Sequence, residues 1–201
     1  MIRAIIFDFG RVISAPKPPF LFQCYEEDLR LTPGTINRIM FSSQAWQDAL
    51  LGQKTAKEFW YAIGPKLGLK NPAAIESFRR RYHDDEAINE GVLELLNSLR
   101  GRYRLAVLSN SPPGLSRWLA EWRIQELFQV VFCSGDEGLA KPNPAAFEVT
   151  LERLGVEAEE AVFIDDTLEH VEAARKLGLH GIHFTTAEDL REELKDLLAL
   201  Q

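Results

Sequence analysis

The stretch RAIIFDF, residues 3–9, decides the fold class, because it is an almost continuous apolar run with one acidic residue, Asp8, near its end. Such a run is typical of a strand that is buried on both faces of a parallel sheet. Four further runs are rich in Val, Ile or Phe, and four of the five runs are nearly continuous rather than alternating. The further runs are RLAVLSN (104–110), VVFCS (130–134), AVFIDD (161–166) and GIHF (181–184). The sequence therefore predicts a five-stranded sheet that is covered on both sides.

Helical patterns separate the later strands, over residues 114–123, 143–154 and 168–177. A regular alternation of strand and helix indicates a doubly wound α/β fold with a parallel sheet. Because the crossovers between parallel strands are right-handed, the helices are expected on both faces of that sheet.

The first two strands break this rhythm, since residues 19–100 contain no convincing strand. Four stretches there have a helical pattern: 18–31, 32–51, 55–69 and 71–83. A further helix over 88–100 leads back to the second strand. We therefore predict a Rossmann-like core formed by residues 1–14 and 88–201, with a small helical cap, residues 15–87, inserted after the first strand. Such an insertion lies over the carboxyl ends of the strands, where open α/β sheets bind ligands.

Charge and composition exclude several classes of protein. A net charge of −7 over 201 residues disfavours a surface for nucleic acid or anionic membranes. No apolar run approaches the roughly 20 residues of a membrane helix, and the first residues lack the features of a signal peptide. Cys24 and Cys133 lie far apart, which favours a reduced compartment. We expect a cytoplasmic protein with a small-molecule partner, without nucleic acid or membrane; the oligomeric state stays open.

Chemically useful residues follow four of the predicted strands. Taken singly, each has an ordinary explanation as a turn residue, a helix cap or a surface lysine. The carboxyl ends of parallel strands meet at one edge, however, so these residues are expected to converge: Asp8, Ser109, Asn110, Lys141, Asp165 and Asp166. Like charges brought together raise one another's pKa unless a cation compensates them. A divalent metal ion together with Lys141 would supply that compensation.

This set of side chains suits phosphoryl transfer. Carboxylates with little imidazole or thiolate favour Mg²⁺ over zinc, and an aspartate such as Asp8 can attack phosphorus to form an aspartyl-phosphate. Ser109 and neighbouring backbone N–H groups could hold phosphate oxygens. Lys141 would place a positive charge against the nucleophile and the phosphate.

Four motifs in this order resemble those of the haloacid dehalogenase (HAD) superfamily, whose members are mostly Mg²⁺-dependent phosphatases. They are IIFDFGRVI (5–13), VLSNS (107–111), GLAKPNPAAF (138–147) and FIDDTLEHVEAARKLG (163–178). The resemblance covers the whole chain. The insertion is similar to the small helical cap of one subgroup, and within it the chain most resembles bacterial α-D-glucose-1-phosphate phosphatase-like proteins.

The resemblance implies a role for each residue at the strand ends. Asp8 would be the nucleophile and a metal ligand, and the carbonyl oxygen of Gly10 a second ligand. Phosphate would be bound by Ser109, Asn110 and Lys141. Asp166 would bind the metal directly, and Asp165 directly or through water.

Three positions depart from the family pattern. Gly10 stands where most phosphatases of the family carry a second aspartate as general acid and base, a function worth roughly 10²–10⁴ in rate. Asn143 replaces an aspartate that is frequent in the third motif. His170 replaces an asparagine, and we expect it on the helix surface or behind the metal ligands rather than on the metal.

The sequence thus favours a Mg²⁺-dependent phosphatase acting on a small phosphorylated metabolite, with a sugar phosphate as one candidate. One alternative is a HAD-like phosphate-binding protein with little or no turnover, because Gly10 lacks an acid. A less favoured alternative is a 2-haloacid dehalogenase. That chemistry also forms an aspartate ester without a second aspartate, but commonly shows Tyr-Gly where this chain has Gly10-Arg11.

Overall fold

The computed structural model describes residues 1–199 and contains a five-stranded parallel sheet. Its strands are β1 (Ala4–Phe7), β2 (Arg104–Ser109), β3 (Val130–Cys133), β4 (Ala161–Asp165) and β5 (His180–His183). They are arranged in the order β3-β2-β1-β4-β5. The predicted α/β fold with a parallel, doubly wound sheet is confirmed, and each predicted strand is present.

Helices account for most of the remaining chain. Residues 15–87 contain α1 (Pro19–Asp28), α2 (Thr35–Phe41), α3 (Gln44–Leu50), α4 (Ala56–Ile63) and α5 (Pro72–Asp84). The rest of the described chain contributes α6 (Glu90–Leu99), α7 (Leu115–Glu121), α8 (Ser134–Glu137), α9 (Pro144–Leu154), α10 (Leu168–Lys176) and α11 (Ala187–Ala199). Among residues 1–199, no helix is both long enough and apolar enough to cross a bilayer.

The central strand β1 distributes its side chains between two apolar layers. Ile5 and Phe7 pack with residues of α6, α7 and α11 on one face of the sheet. Ala4 and Ile6 pack with residues of α9 and α10 on the other face. All four side chains are fully buried, which explains why the strand is apolar throughout instead of alternating with polar residues.

The strand order places the end of β1 at the centre of the sheet. Phe7 is paired with Val107 of β2 on one side and with Ile164 of β4 on the other. The order of the strands reverses at β1, since β2 and β3 lie on one side of it and β4 and β5 on the other. Ligands of open α/β sheets bind at such a switch point, so Asp8 directly after β1 occupies the expected place.

The helical insertion, residues 15–87, has an apolar cluster of its own. Aromatic and aliphatic side chains from its helices form this cluster, including Tyr25, Ile36, Phe59, Trp60 and Phe78. The prediction of one helix over residues 32–51 is wrong, because α2 begins only at Thr35 and the chain breaks at Ser42 and Ser43. The Ser43 side chain accepts a hydrogen bond from the Trp46 N–H and thereby begins α3 as a separate helix.

The two ends of the insertion run side by side. Ser14 and Ile88 form an antiparallel bridge, so the chain leaves the sheet and returns to it at one place. Beside this bridge, the Lys17 ammonium lies 3.0 Å from a Glu86 carboxylate oxygen, and the Lys17 side chain is only 4% exposed. Lys17 also donates a hydrogen bond to the Tyr82 carbonyl oxygen. A buried charge with such partners ties the departing segment to the returning one.

Candidate active site

Asp8 lies directly after β1 and is 7% exposed. Its backbone N–H donates to the Ile164 carbonyl oxygen at 2.8 Å, which continues the pairing of β1 with β4 by one residue. The chain then turns sharply through residues 9–13, and the Ser14 N–H closes this turn on the Phe9 carbonyl oxygen. The carboxylate therefore stands at the end of a rigid, buried strand.

Lys141 lies between two of the predicted acids. Its Nζ is 2.8 Å from Oδ1 of Asp8 and 2.6 Å from Oδ2 of Asp165. The Lys141 side chain is 1% exposed and that of Asp165 is 0% exposed. A loop after β3 thus delivers one ammonium group to the carboxyl ends of β1 and β4, as the topology predicted.

Burial and neighbouring charges shift the pKa values of Asp8, Lys141 and Asp165. Burial raises the pKa of Asp8 to about 6, although Lys141 acts in the opposite direction. Burial also lowers the pKa of Lys141, but the charges of Asp8 and Asp165 outweigh it, so that the net shift is upward. Burial likewise disfavours ionised Asp165, yet hydrogen bonds from His170 and Lys141 leave its pKa lowered. Of these two carboxyl groups, Asp8 therefore has the raised pKa and Asp165 the lowered one.

The side-chain amide of Asn110 forms hydrogen bonds with both backbone groups of Lys141. Its Oδ1 accepts from the Lys141 N–H at 2.8 Å, and its Nδ2 donates to the Lys141 carbonyl oxygen at 2.8 Å. The sequence predicted Asn110 as a phosphate contact, but it did not reveal this second role. The amide occupies both backbone groups of Lys141, so it fixes the position from which the ammonium reaches Asp8.

Ser109 ends β2 and is 2% exposed. The pairing of Phe7 with Val107 places Ser109 one residue beyond the level of Asp8 on the adjacent strand. The structure thus brings Ser109 to the same edge of the sheet, while its phosphate-binding role stays a prediction.

Asp166 and its neighbours complete the edge. The Asp166 carboxylate lies 3.2 Å from Nε of Arg11, whose side chain is 73% exposed. His170 places Nδ1 3.1 Å from Oδ2 of Asp165, while its place outside the metal ligands stays a prediction. The Asp165 side chain also accepts a hydrogen bond from the Thr167 N–H.

Asn143 takes a structural role, because its side chain accepts a hydrogen bond from the Ala145 N–H at the start of α9.

Three carboxylates are close enough to share one metal ion. One oxygen each of Asp8, Asp165 and Asp166 lies within 4.8 Å of the others. The two basic side chains paired with them, Lys141 and Arg11, leave one negative charge in excess. Hard oxygen donors with surplus negative charge fit Mg²⁺. A cavity of about 540 Å³ lies beside Asp166 and Arg11, and its lining includes neither Asp8 nor Lys141.

Gly10 has an ordinary backbone conformation, with φ −66° and ψ 125°. A Cβ atom built on it would come no closer to another group than 4.0 Å, to Oδ2 of Asp8. The next residue, Arg11, has φ +62°, a left-handed conformation that is costly for a residue with a side chain. Neither the backbone nor the space at position 10 therefore requires glycine.

Replacing Lys141 by methionine is expected to destabilise the metal-free protein by about 3–5 kcal/mol, because it leaves buried carboxylates without their cation. The loss should be largest near pH 8 and shrink toward pH 4, where Asp8, whose pKa is raised by burial to about 6, binds a proton and no longer needs a cation. Urea denaturation in EDTA at both pH values measures it. Lys195→Met, at a side chain that is 72% exposed, is the control. An equal loss at both pH values would contradict this explanation.

Comparison with known proteins agrees with the observed fold. The family model described as haloacid dehalogenase-like hydrolase matches residues 2–178. The sesquiterpene phosphatase astK of Aspergillus oryzae is 28% identical, over 98% of this chain and 96% of its own length. A phosphatase of Mycobacterium tuberculosis is 29% identical, over 90% of this chain and 86% of its own. Two other curated relatives are longer, and the match spans 37% and 19% of them.

The fold is also that of a solved structure. A HAD family enzyme from Bacteroides thetaiotaomicron, in complex with magnesium and inorganic phosphate, superimposes with a TM-score of 0.74 and 21% identity. The superposition covers 92% of this chain and 96% of that one. Because the family model spans most of the sequence, the chain belongs to the haloacid dehalogenase-like hydrolases, and it is a hydrolase enzyme.

Proposed function

We propose that this protein is a Mg²⁺-dependent phosphatase that hydrolyses a small phosphorylated metabolite through an aspartyl-phosphate on Asp8. The observation that carries the proposal is the position of Asp8. Its carboxylate is buried, lies against Lys141, and is within 4.8 Å of oxygens of Asp165 and Asp166. Two relatives that match most of the chain are named phosphatases, which supports the same reaction.

Asp8, Asp166 and the Gly10 carbonyl oxygen are the groups that would hold Mg²⁺, with Asp165 as a further ligand. When bound, the ion would neutralise charge on the acids and on the phosphate. Asp165 has a second task in any case, because its carboxylate orients Lys141 and accepts from His170.

The reaction would proceed in two displacements. Lys141 occupies Oδ1 of Asp8, which leaves Oδ2 as the attacking oxygen. Its attack on phosphorus breaks the bond to the leaving oxygen and forms the aspartyl-phosphate, and the leaving alkoxide takes a proton from solvent to become the alcohol. A water molecule then attacks the same phosphorus and loses a proton to solvent, while the bond between phosphorus and Oδ2 breaks; this releases inorganic phosphate and restores the Asp8 carboxylate. Lys141 would offset negative charge on the transferring group in both steps, while Ser109 and the adjacent backbone N–H groups would hold its oxygens.

A second candidate is a phosphate-binding protein with little or no turnover. The observation that favours it is Gly10, which provides no side chain to protonate the leaving alcohol. The two candidates share one binding site and differ only in rate.

Two free cysteines, Cys24 and Cys133, fit the further proposal that the protein acts in the cytoplasm.

Phosphate release from a substrate panel tests the proposal. The full chain, freed of metal with EDTA and then given Mg²⁺, would be offered p-nitrophenyl phosphate, glucose 1-phosphate, other sugar phosphates and a sesquiterpenyl phosphate. We expect Mg²⁺-dependent release of phosphate, with turnover of about 1 s⁻¹ or more on the best substrate. Phosphate binding without turnover would favour the second candidate. Activity that survives EDTA, or halide release from 2-haloacids, would contradict the proposal.

A further inference from the structure

The insertion touches the core through two glycines. Gly52, in the loop between α3 and α4, has φ +71°, and a Cβ atom built on it would lie 2.6 Å from the Gly135 carbonyl oxygen. Carbon atoms do not approach an oxygen so closely without displacing it. The backbone of the insertion therefore rests on the backbone of α8, with no side chain between them.

Gly135 is confined on its other side as well. A Cβ atom there would lie 2.6 Å from the Pro113 nitrogen and 2.7 Å from the Ser111 carbonyl oxygen. The Gly135 N–H donates to that same carbonyl oxygen at 3.0 Å. Three backbone segments are therefore layered without intervening side chains: the Gly52 loop, α8, and the loop of residues 110–114.

Side chains on α8 fasten this last loop further. The Ser134 hydroxyl oxygen accepts a hydrogen bond from the Ser111 N–H, with 3.1 Å between oxygen and nitrogen. The Asp136 carboxylate accepts a hydrogen bond from the Gly114 N–H. The loop begins with Asn110, which holds Lys141, and follows Ser109 directly. A shift of α8 would therefore reach the groups that are proposed to hold phosphate.

The insertion also contacts the other end of this loop. The His83 ring of α5 lies 4.6 Å, between centroids, from the Trp118 ring of α7. Helix α7 begins at Leu115, directly after the loop, and Trp118 also packs on Phe9 beside the nucleophile. The loop is thus flanked by two contacts with the insertion, one on α8 and one on α7.

We propose that Gly52 is a positioning residue: its contact with Gly135 transmits the placement of the insertion to loop 110–114, and so sets the affinity of the site for phosphate. This inference rests on the proposed function, since it assigns phosphate to the site at that loop. Any side chain at position 52 would lift the insertion from α8. The loop would then lose its support although every predicted phosphate-binding residue remained in place.

A matched pair of variants tests this. Gly52→Ala and Gly68→Ala both introduce a side chain at a left-handed glycine of the insertion, with φ +71° and +78°. Only the first creates a clash, because nothing lies within 4 Å of a Cβ atom at Gly68. We expect Gly52→Ala to weaken inorganic phosphate binding and kcat/KM for p-nitrophenyl phosphate by about 10- to 100-fold. Gly68→Ala should stay within about 2-fold at a similar loss of thermal stability.

Equal phosphate affinities for the two variants, measured by calorimetry with Mg²⁺, would overturn the inference. Wild-type turnover is judged separately: if the wild type binds phosphate but releases none from any ester, the phosphatase proposal fails while the comparison of affinities still decides the role of Gly52.

A measurement on the wild type covers the case in which Gly52→Ala does not fold. Coupling between two sites is reciprocal, so phosphate must strengthen the contact if the contact strengthens phosphate binding. On addition of phosphate and Mg²⁺, hydrogen exchange should therefore slow at residues 51–54 and at the amides of Asn110, Ser111 and Gly114. It should stay unchanged at residues 66–70. Unchanged exchange at residues 51–54, with protection of those three amides, would equally overturn the inference.

Discussion

Asp8→Asn is expected to reduce phosphate release by about 10⁴-fold or more, the scale seen when a nucleophile is removed. An asparagine side chain keeps the shape and the acceptor oxygen that faces Lys141, but it lacks the negative charge needed to form the ester with phosphorus. The measurement is kcat at saturating Mg²⁺, with mass spectrometry of the quenched wild type to detect the phosphorylated chain. Asp28→Asn, at a side chain 60% exposed, is the control. Substantial activity in Asp8→Asn would exclude Asp8 as nucleophile.

The same substitution should make the metal-free protein more stable at neutral pH. Burial raises the folded-state pKa of Asp8 from 3.8 to about 6. The favourable contribution of Asp8 to the free energy of unfolding is therefore fully present below pH 4, where the group is protonated, and is lost as the pH rises through about 6. At pH 8 the ionised wild-type carboxylate costs up to about 3 kcal/mol, which asparagine avoids. Thermal unfolding in EDTA should show a higher Tm for the variant at pH 8 and little difference at pH 4; a lower Tm at pH 8 would contradict this.

The sheet was predictable because burial on both faces leaves a strong trace in the sequence. Strands β1 to β4 are short, continuous apolar runs, and the helices after β2 separate them at regular intervals. Each observed strand lies within two residues of its predicted ends. The convergence of Asp8 with the other strand ends could be predicted from parallel pairing, whereas its place at the switch point is seen only in the observed strand order.

The insertion was less predictable, because its helices are separated by local turn chemistry. The apolar pattern of residues 32–51 continues across the break at Ser42 and Ser43, so periodicity suggested one helix where two are present. The Ser43 cap that divides them depends on a single side-chain hydrogen bond. No sequence pattern predicts the contact of Gly52 with Gly135, because the two glycines are 83 positions apart, at 52 and 135.

The convergence of the site could be predicted, but the pairing of its side chains could not. Topology brought Asp8, Asp165 and Lys141 to one edge. The choice of Asn110 as the holder of Lys141 depends on a loop whose path the sequence does not specify. From the sequence, Arg11 could have pointed to solvent or toward a ligand. In the structure it approaches Asp166, and its backbone is left-handed, which the neighbouring residues do not predict.

Gly10 is the position at which the proposed binding of phosphate can be tested apart from its turnover. The proposed metal ligand at this position is the backbone carbonyl oxygen, which every amino acid at position 10 would keep. Its φ of −66° suits any residue, and a Cβ atom there would meet only Oδ2 of Asp8, at 4.0 Å. The glycine is therefore not required by the fold, and a Cβ atom can be added at this position without displacing the nucleophile.

Gly10→Asp is accordingly expected to raise kcat by about 10²–10⁴-fold on alkyl phosphates such as glucose 1-phosphate, where the leaving alcohol needs a proton. The gain should be far smaller on p-nitrophenyl phosphate, because p-nitrophenolate leaves as a stable anion. Proximity to Asp8 should raise the pKa of the new carboxyl group, which favours its action as an acid. Gly10→Asn has the same size without the acid and is the matched control. If Asp and Asn at position 10 turn over glucose 1-phosphate equally, absence of an acid at this position does not limit the wild type, and another group protonates the leaving alcohol.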